Sequence, residues 1–155
     1  MTSHAKGLAT ITATAADGSG VKATCTVKVV NFEVGEHYNV GGVEGLVFYY
    51  NNNPYIISLD EKKCNWSEAN TWCSAKSDGW YIPSRLELQA IREVRGTLQD
   101  ELTKIGEEAR FQYTKYWSSE EMNGKYVFVV DLTGTTDVTL HTKSHNYGVR
   151  AVRAL

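Results

Sequence analysis

The chain has 155 residues, of which 42% are hydrophobic, 22% charged and 11% aromatic, and its formal net charge is −2. This length allows one ordinary domain, or a domain plus a fragment, and the apolar fraction excludes a wholly disordered chain. The near-neutral charge argues against a nucleic-acid partner, and the absence of any apolar run of about 18 residues argues against membrane insertion.

The first 35 residues predict a short tail followed by a β-hairpin and a linker. Residues 1–6 lack the apolar segment of a signal peptide. Over 7–29, apolar and polar residues alternate on both sides of a glycine-rich turn at 17–20, a pattern typical of paired strands. Cys25 lies on the apolar side of this alternation, so we expect a buried thiol. Because a lone hairpin is marginally stable in water, we expect this hairpin either to pack on the residues that follow or to be the edge of a larger β-sandwich.

Residues 36–155 predict a second domain that begins with strands. The segments 46–50 and 55–59 are rich in β-branched and aromatic residues, and they flank turn-forming residues at 51–54. We therefore expect another hairpin at the start of this domain.

Three helices are predicted next. Two pairs of residues have the spacing of a capping box at a helix N-terminus. These pairs are Asn65 with Glu68 and Ser84 with Glu87. The first helix is expected over 66–76, the second is expected to end at Gly96, and a third is expected over 98–108.

The chain then returns to β structure. Strands are predicted over 116–119, 126–132, 137–142 and 147–155, and the second of these is apolar enough for a buried strand. Strands followed by helices and then strands indicate an α+β fold with a mostly antiparallel sheet.

Five groups of residues in the second domain follow the order and spacing of a known family. They are Gly41-Gly42 with Gly45-Leu46-Val47-Phe48; Ile57-Ser58-Leu59-Asp60-Glu61; Trp66-Ser67-Glu68-Ala69 with Trp72-Cys73; Gly79-Trp80-Tyr81-Ile82-Pro83-Ser84-Arg85 with Glu87-Leu88; and Tyr116-Trp117-Ser118-Ser119 with Glu121 and Val149-Arg150-Ala151-Val152-Arg153. On these groups, 36–155 resembles the bacterial C-type-lectin-like domain also found at the C-terminus of a Legionella collagen-like adhesin. That family is related to the formylglycine-generating enzymes.

This resemblance implies a C-type-lectin-like fold whose C-terminal half meets the ligand. Some family members are variable proteins diversified by retroelements, with variable positions scattered on a fixed scaffold over the last stretch. The segment 7–29 resembles the last two strands of a bacterial group-2 Ig-like domain, a stalk module of surface proteins. We therefore expect a longer protein with an upstream Ig-like stalk, displayed at the cell surface or on a phage particle.

The candidate ligand face lies within 120–147, where small, charged and aromatic side chains mix as they do in binding loops. It comprises Met122, Asn123, Lys125, Tyr126, Asp131, Thr136, Asp137, Thr139, His141, Ser144, His145, Asn146 and Tyr147. The expected partner is a protein or glycan on another surface, bound without catalysis. The structural alternative is a solvated polar loop and strand edge.

No catalytic residue, metal or cofactor is predicted. His141 and His145 fall on one strand face, but no nearby Cys or carboxylate completes a tetrahedral zinc site. The family's enzymes use a cysteine pair near the C-terminal end, and 74–155 contains no Cys. The calcium-binding sugar motifs of animal C-type lectins are also absent. A carbohydrate-binding adhesin remains the alternative function, and a formylglycine-generating-type enzyme is the third.

The remaining prominent residues are assigned to the scaffold. Four tryptophans are expected in the core rather than as sugar platforms. They are Trp66, Trp72, Trp80 and Trp117. Arg150 and Arg153 are expected to make structural hydrogen bonds at the final strand.

Cysteine and carboxylate pairs give no reactive site in the sequence. Helical geometry would hold Cys64 and Cys73 too far apart for a disulfide. The adjacent acidic residues at 60–61 and 120–121 would point apart in a strand, so we expect turn and surface positions rather than an acid–base pair.

Overall fold

The structure is a computed structural model that describes residues 7–29, 31–76, 79–134 and 138–155. The chain divides into two compact units between Phe32 and Glu33. Its helices and mostly antiparallel sheets confirm the predicted α+β class. None of the helices among the described residues is both long and apolar enough to cross a membrane.

The first unit contains the predicted hairpin. Strands β1 (Gly7–Thr14) and β2 (Lys22–Val29) pair antiparallel in continuous register, and the Ser19 N–H donates to Asp17 Oδ1 in the turn at 2.9 Å. The expectation of a buried thiol is wrong, because Cys25 is exposed. The described part of this unit is a single two-stranded sheet.

The second unit is built from two sheets. In chain order, its strands are β3 (His37–Val40), β4 (Val43–Tyr50), β5 (Asn53–Ile57), β6 (Lys62–Cys64), β7 (Lys115–Glu121), β8 (Tyr126–Asp131), β9 (Val138–Thr142), β10 (Tyr147–Val149) and β11 (Val152–Ala154). One sheet has the order β11-β5-β4-β3 and the other β6-β10-β7-β8-β9. The pairing of β10 with β7 is parallel, and the other strand pairs are antiparallel.

The described helices are α1 (Trp66–Ser74), α2 (Arg85–Glu93) and α3 (Arg95–Ile105). Both predicted capping boxes are present. Asn65 Oδ1 accepts from Glu68 N at 3.0 Å, and Ser84 Oγ accepts from Glu87 N at 3.2 Å. In the reciprocal bonds, Asn65 N donates to Glu68 Oε2 at 3.3 Å and Ser84 N donates to Glu87 Oε2 at 2.7 Å. These local bonds explain why α1 and α2 begin where the sequence predicts.

Two predicted boundaries are wrong. The break between α2 and α3 lies at Val94 (φ −107°), so α3 spans Arg95–Ile105 and not the predicted 98–108, and Gly96 lies in its first turn. First-turn N–H groups have no intrahelical acceptor, so a glycine there does not end the helix. The predicted strand over 147–155 is two strands in different sheets, because the chain crosses between the sheets at Arg150 and Ala151.

The buried side chains form two hydrophobic clusters. The first joins α2 and α3 to both sheets, and the second packs α1 against β7, β8 and β10. Trp117 is fully buried in the second cluster, and its indole N–H donates to the Cys64 carbonyl at 2.8 Å. The other three tryptophans, Trp66, Trp72 and Trp80, pack against this cluster while half-buried. The core assignment is therefore confirmed in full for Trp117 alone.

A buried ion pair lies where the chain crosses between the sheets. The side chains of Arg150 and Glu61 are 2% and 3% exposed, and Arg150 Nη2 lies 2.9 Å from Glu61 Oε2. The Arg150 guanidinium also donates to the carbonyls of Ser58 (2.9 Å) and Ala109 (2.8 Å). The predicted structural role of Arg150 is confirmed.

The surface position expected for Glu61 is wrong. Its carboxylate accepts from the Tyr116 hydroxyl and from the Gln112 N–H, both at 2.7 Å, in addition to Arg150. A buried carboxylate is tolerated because a cation and several donors compensate for lost hydration. Burial and the neighbouring Glu61 charge raise the pKa of Tyr116, so this hydroxyl stays protonated and donates.

We expect Arg150→Met to lower the free energy of unfolding by about 3–5 kcal/mol, because it leaves Glu61 buried without its cation. The matched control is Arg110→Met, since Arg110 forms an exposed pair with Glu107 and should cost less than about 1 kcal/mol. Urea unfolding of the two variants measures the difference. Equal losses in both variants would contradict a structural role for the buried pair.

Candidate functional site

Three of the predicted face residues form one aromatic cluster at the end of β9 and the start of β10. His141, His145 and Tyr147 are named here the His–Tyr cluster. The ring centroids of His141 and Tyr147 are 4.8 Å apart, and the Tyr147 hydroxyl lies 2.8 Å from His141 Nδ1. The His145 ring is stacked on Tyr147 with centroids 5.9 Å apart. The structure therefore brings together residues that the sequence separates by up to six positions.

The His–Tyr cluster is anchored to the core through Tyr147. The Tyr147 ring lies edge-on to Trp117, with centroids 5.0 Å apart. Tyr147 and His141 are half-buried, whereas His145 is exposed. A half-buried aromatic pair thus holds an exposed imidazole in place, which is suitable geometry for a contact surface.

Three hydroxyl side chains fix the two imidazoles. Thr139 Oγ1 lies 3.0 Å from His141 Nε2, and Thr142 Oγ1 lies 2.7 Å from His145 Nδ1. Ser144 Oγ lies 3.1 Å from Thr142 Oγ1 and extends this network to the turn before β10. Because both ring nitrogens of His141 have hydroxyl partners, its orientation is set within the protein.

A second group of predicted residues forms the turn between β7 and β8. Met122 is 60% exposed at this turn. Asn123 Oδ1 accepts from the backbone N–H of Lys125 (3.0 Å) and Tyr126 (3.1 Å), so this side chain shapes the turn. The Lys143 N–H donates to the Lys125 carbonyl at 3.3 Å, which joins this turn to the turn after β9.

Asp131 has a structural role at the other end of β8. Its Oδ1 accepts from the backbone N–H and hydroxyl of Thr133, both at 2.8 Å, and from Gly134 N at 3.0 Å. Burial raises the pKa of Asp131, but these donors and Lys115 outweigh burial and lower it. Two further predicted residues, Thr136 and Asp137, lie outside the described residues.

A groove of about 320 Å³ adjoins the His–Tyr cluster and shares Tyr147 with it. Lys63 Nζ lies 5.8 Å from the Tyr113 ring centroid within it. We name it the Lys63–Lys115 groove. Its lining residues are Lys63, Gln112, Tyr113, Thr114, Lys115, Asn146, Tyr147 and Gly148.

Sequence reasoning found only two of these lining residues, Asn146 and Tyr147. Lys63 lies in the three-residue strand β6, which is too short for a periodic pattern. Lys115 lies two positions before Trp117 at the start of β7. Residues two positions apart on a strand lie on the same face, so this spacing is the signal that would have placed Lys115 on the strand. Nothing local in the sequence brings Lys63 beside residue 113.

Two larger cavities, each of about 450 Å³, lie elsewhere in the second unit. One is lined in part by Trp80, Asp60 and Lys76, but both Asp60 carboxylate oxygens lie 2.7 Å from Lys76 Nζ. Glu44 also lines this cavity and lies 2.8 Å from His37 Nε2, so each of the three charged side chains has a partner. The other is lined by helix and strand residues that include Leu86 and Glu93.

The cysteines of the second unit are buried in its core. Cys64 and Cys73 are free and buried. Burial raises the pKa of Cys73 to about 12 and also raises the pKa of Cys64, so both remain thiols near neutral pH. Across the described ranges, no group of three or more His, Cys, Asp or Glu side chains could hold a metal ion.

No protein-family model matches the chain, and no curated protein is significantly similar to it. The resemblance to the C-type-lectin-like family therefore depends on the five groups of residues alone.

We expect His141 to titrate below the ordinary histidine pKa of about 6.5. Burial, the cation of Lys115 and the neighbouring His145 all lower its pKa. Between the folded and unfolded pKa values the unfolded chain binds more protons, so His141 reduces the free energy of unfolding as the pH falls below about 6.5. Two-dimensional NMR of the imidazole nitrogens measures this pKa directly.

Lys115→Gln should move the pKa of His141 back toward its ordinary value, whereas Lys104→Gln on α3 should leave it unchanged. Lys104 is 69% exposed and pairs with Glu101. A wild-type pKa at or above 6.5 would contradict the environment described for His141.

Proposed function

We propose that residues 33–155 form a non-enzymatic ligand-binding domain of a surface protein, with a C-type-lectin-like fold. Its binding face is the His–Tyr cluster together with the turn at Met122–Lys125. The observation that carries this proposal is the mounting of an exposed imidazole, His145, on a ring that packs against the fully buried Trp117. Rigid support under adaptable polar groups is the usual design of a recognition surface.

The positions of the five resemblance groups support the proposed fold. The capped starts of α1 and α2, strand β7 and the crossing from β10 to β11 carry most of these residues. These elements supply the buried clusters and the buried ion pair. The residues that carry the resemblance are thus largely scaffold residues, as a family with a variable binding face requires.

The chemistry of the cysteines supports binding rather than catalysis. A formylglycine-generating-type reaction needs accessible thiols of low pKa. Cys64 and Cys73 are instead buried with raised pKa values, and Cys25 lies in the separate first unit. We infer from the resemblance, and not from the cysteines, that the partner is a protein or glycan on another surface and that this protein is displayed at the cell surface or on a phage particle.

A binding assay tests the face. The wild-type chain is applied to a glycan array and to intact bacterial cells at physiological salt, beside the variants His145→Ala and Met122→Ala. Because both side chains are exposed, the variants should keep the wild-type unfolding free energy within about 0.5 kcal/mol. At least one variant should weaken binding about tenfold or more.

Leu86→Ala is the matched control, since Leu86 is 49% exposed on α2 and lines a different cavity. It should bind as the wild type does. Unchanged binding in both face variants with a loss in the control would place the binding face elsewhere, and no binding to any probe would contradict the proposal.

If this chain is a diversified member of the family, sister sequences should differ at exposed face positions such as Met122 and His145. They should retain Trp117, Arg150 and Glu61, which the fold needs. Sequencing of the locus from many isolates measures this. Substitutions spread evenly over scaffold and face would contradict diversification.

A further inference from the structure

The Lys63–Lys115 groove combines features of a small-molecule site. Its volume of about 320 Å³ lies at the lower end of the range of about 300–1,000 Å³ for such sites. This volume suits a group of one or two rings better than a folded protein surface. The groove is also continuous with the proposed face, because Tyr147 belongs to both.

The residues that line the groove carry positive charge. Lys63 and Lys115 both line it, and its described lining includes no acidic residue. Neither lysine forms an ion pair with a described acidic side chain, in contrast to Lys76 with Asp60. Asp131, the register partner of Lys115, accepts three hydrogen bonds within its own turn through Oδ1, and Lys115 lowers its pKa without forming an ion pair with it.

An entering anion would therefore meet two ammonium groups without first breaking an ion pair. Ammonium groups bind carboxylates through charge-assisted hydrogen bonds, which are stronger than neutral ones. The formal net charge of −2 for the whole chain does not reveal this local pair of lysines, because Lys63 and Lys115 come from strands separated by about 50 residues.

Two aromatic rings and an amide complete the site. The Tyr113 ring lies so close to β10 that a Cβ at Gly148 would come within 2.8 Å of Tyr113 Cδ2, so glycine permits this approach. Tyr147 is held edge-on by Trp117 at 5.0 Å. Aromatic faces pack against the apolar side of a sugar ring, and the exposed Asn146 amide can bond to hydroxyl groups.

We propose that the Lys63–Lys115 groove binds a carboxylate-bearing sugar residue of the uronic-acid or sialic-acid class. Lys63 and Lys115 hold the carboxylate, and the rings of Tyr113 and Tyr147 pack on the sugar. This proposal rests on the proposed ligand-binding function and names its ligand class.

An acidic peptide is less well matched to the groove. Peptides that bind a sheet by strand addition need a free strand edge. The central strand at this groove, β10, is already paired with β6 on one side and β7 on the other, and the edge strand β6 offers only the three residues Lys62–Cys64. The sugar is therefore the better fit.

The test is an NMR titration of the full chain at constant ionic strength with defined probes. The acidic probes are the methyl glycosides of glucuronic, galacturonic and N-acetylneuraminic acid. Methyl glucoside supplies a ring without a carboxylate, and N-acetylglutamate amide supplies a carboxylate without a ring. At least one acidic glycoside should shift the amide signals of the groove and bind about tenfold or more tightly than both controls.

Charge-removing variants locate the bound carboxylate. Lys63→Gln and Lys115→Gln should each weaken binding of that glycoside about tenfold, whereas Lys104→Gln removes the same charge on α3 and should leave binding unchanged. Tyr113→Leu should also weaken binding.

Each contrary result overturns the proposal. If no acidic glycoside binds, the ligand class is wrong. If methyl glucoside binds equally, the lysines have no role, and if N-acetylglutamate amide binds equally or better, the site recognises acidic peptides. Equal loss in Lys104→Gln would show a bulk charge effect.

The outcome is separable from that of the proposed function. If the face variants lose array or cell binding but no acidic glycoside binds, the proposed ligand-binding function is supported and only the proposed ligand class is wrong. If an acidic glycoside binds in the groove but His145→Ala and Met122→Ala leave array and cell binding unchanged, the proposed binding face is wrong.

Discussion

The buried pair of Arg150 and Glu61 constrains the second unit more than any other interaction described. The chain leaves one sheet and enters the other at Arg150, and the guanidinium binds carbonyls of residues 58–59 and 109–110 as well as the Glu61 carboxylate. Residues from three parts of the chain, 58–61, 109–110 and 150, must therefore meet at one buried charge. Such a site tolerates few alternatives, because any partner left unpaired in the interior is costly.

The same carboxylate links the core to the candidate ligand surface. Glu61 accepts from Gln112 N and from the Tyr116 hydroxyl, and the Tyr116 hydroxyl in turn accepts weakly from Tyr113 N at 3.4 Å. Residues 112 and 113 line the Lys63–Lys115 groove. The positions of residues 112 and 113 in the groove thus depend on the buried Glu61 carboxylate. A ligand site supported in this way keeps its shape when exposed residues around it change.

Local signals in the sequence were sufficient for the capped helices and the hairpins. Asn65 and Ser84 form their caps with residues three positions away, so the sequence contains the whole interaction. The failures at Glu61 and at the groove involve distant partners, whereas the misplaced break between α2 and α3 is local. Burial of Glu61 depends on Arg150, 89 positions along the chain, and the groove depends on the approach of Lys63 to Tyr113. The His–Tyr cluster is intermediate, because its residues are close in sequence but the packing on Trp117 is not local.

Tyr147 sets the limit on how freely the residues of the proposed ligand face can be replaced. The residues around it, such as Met122 and His145, are exposed and contribute little to the core, so their replacement alters the surface at small cost in stability. Tyr147 instead packs on Trp117, bonds to His141 and lines the groove. Since one side chain connects core, cluster and groove, its loss would disturb all three. Substitutions are therefore tolerated best in the turns on either side of Tyr147, whereas Tyr147 itself, although part of the proposed face, is constrained by its contact with the core.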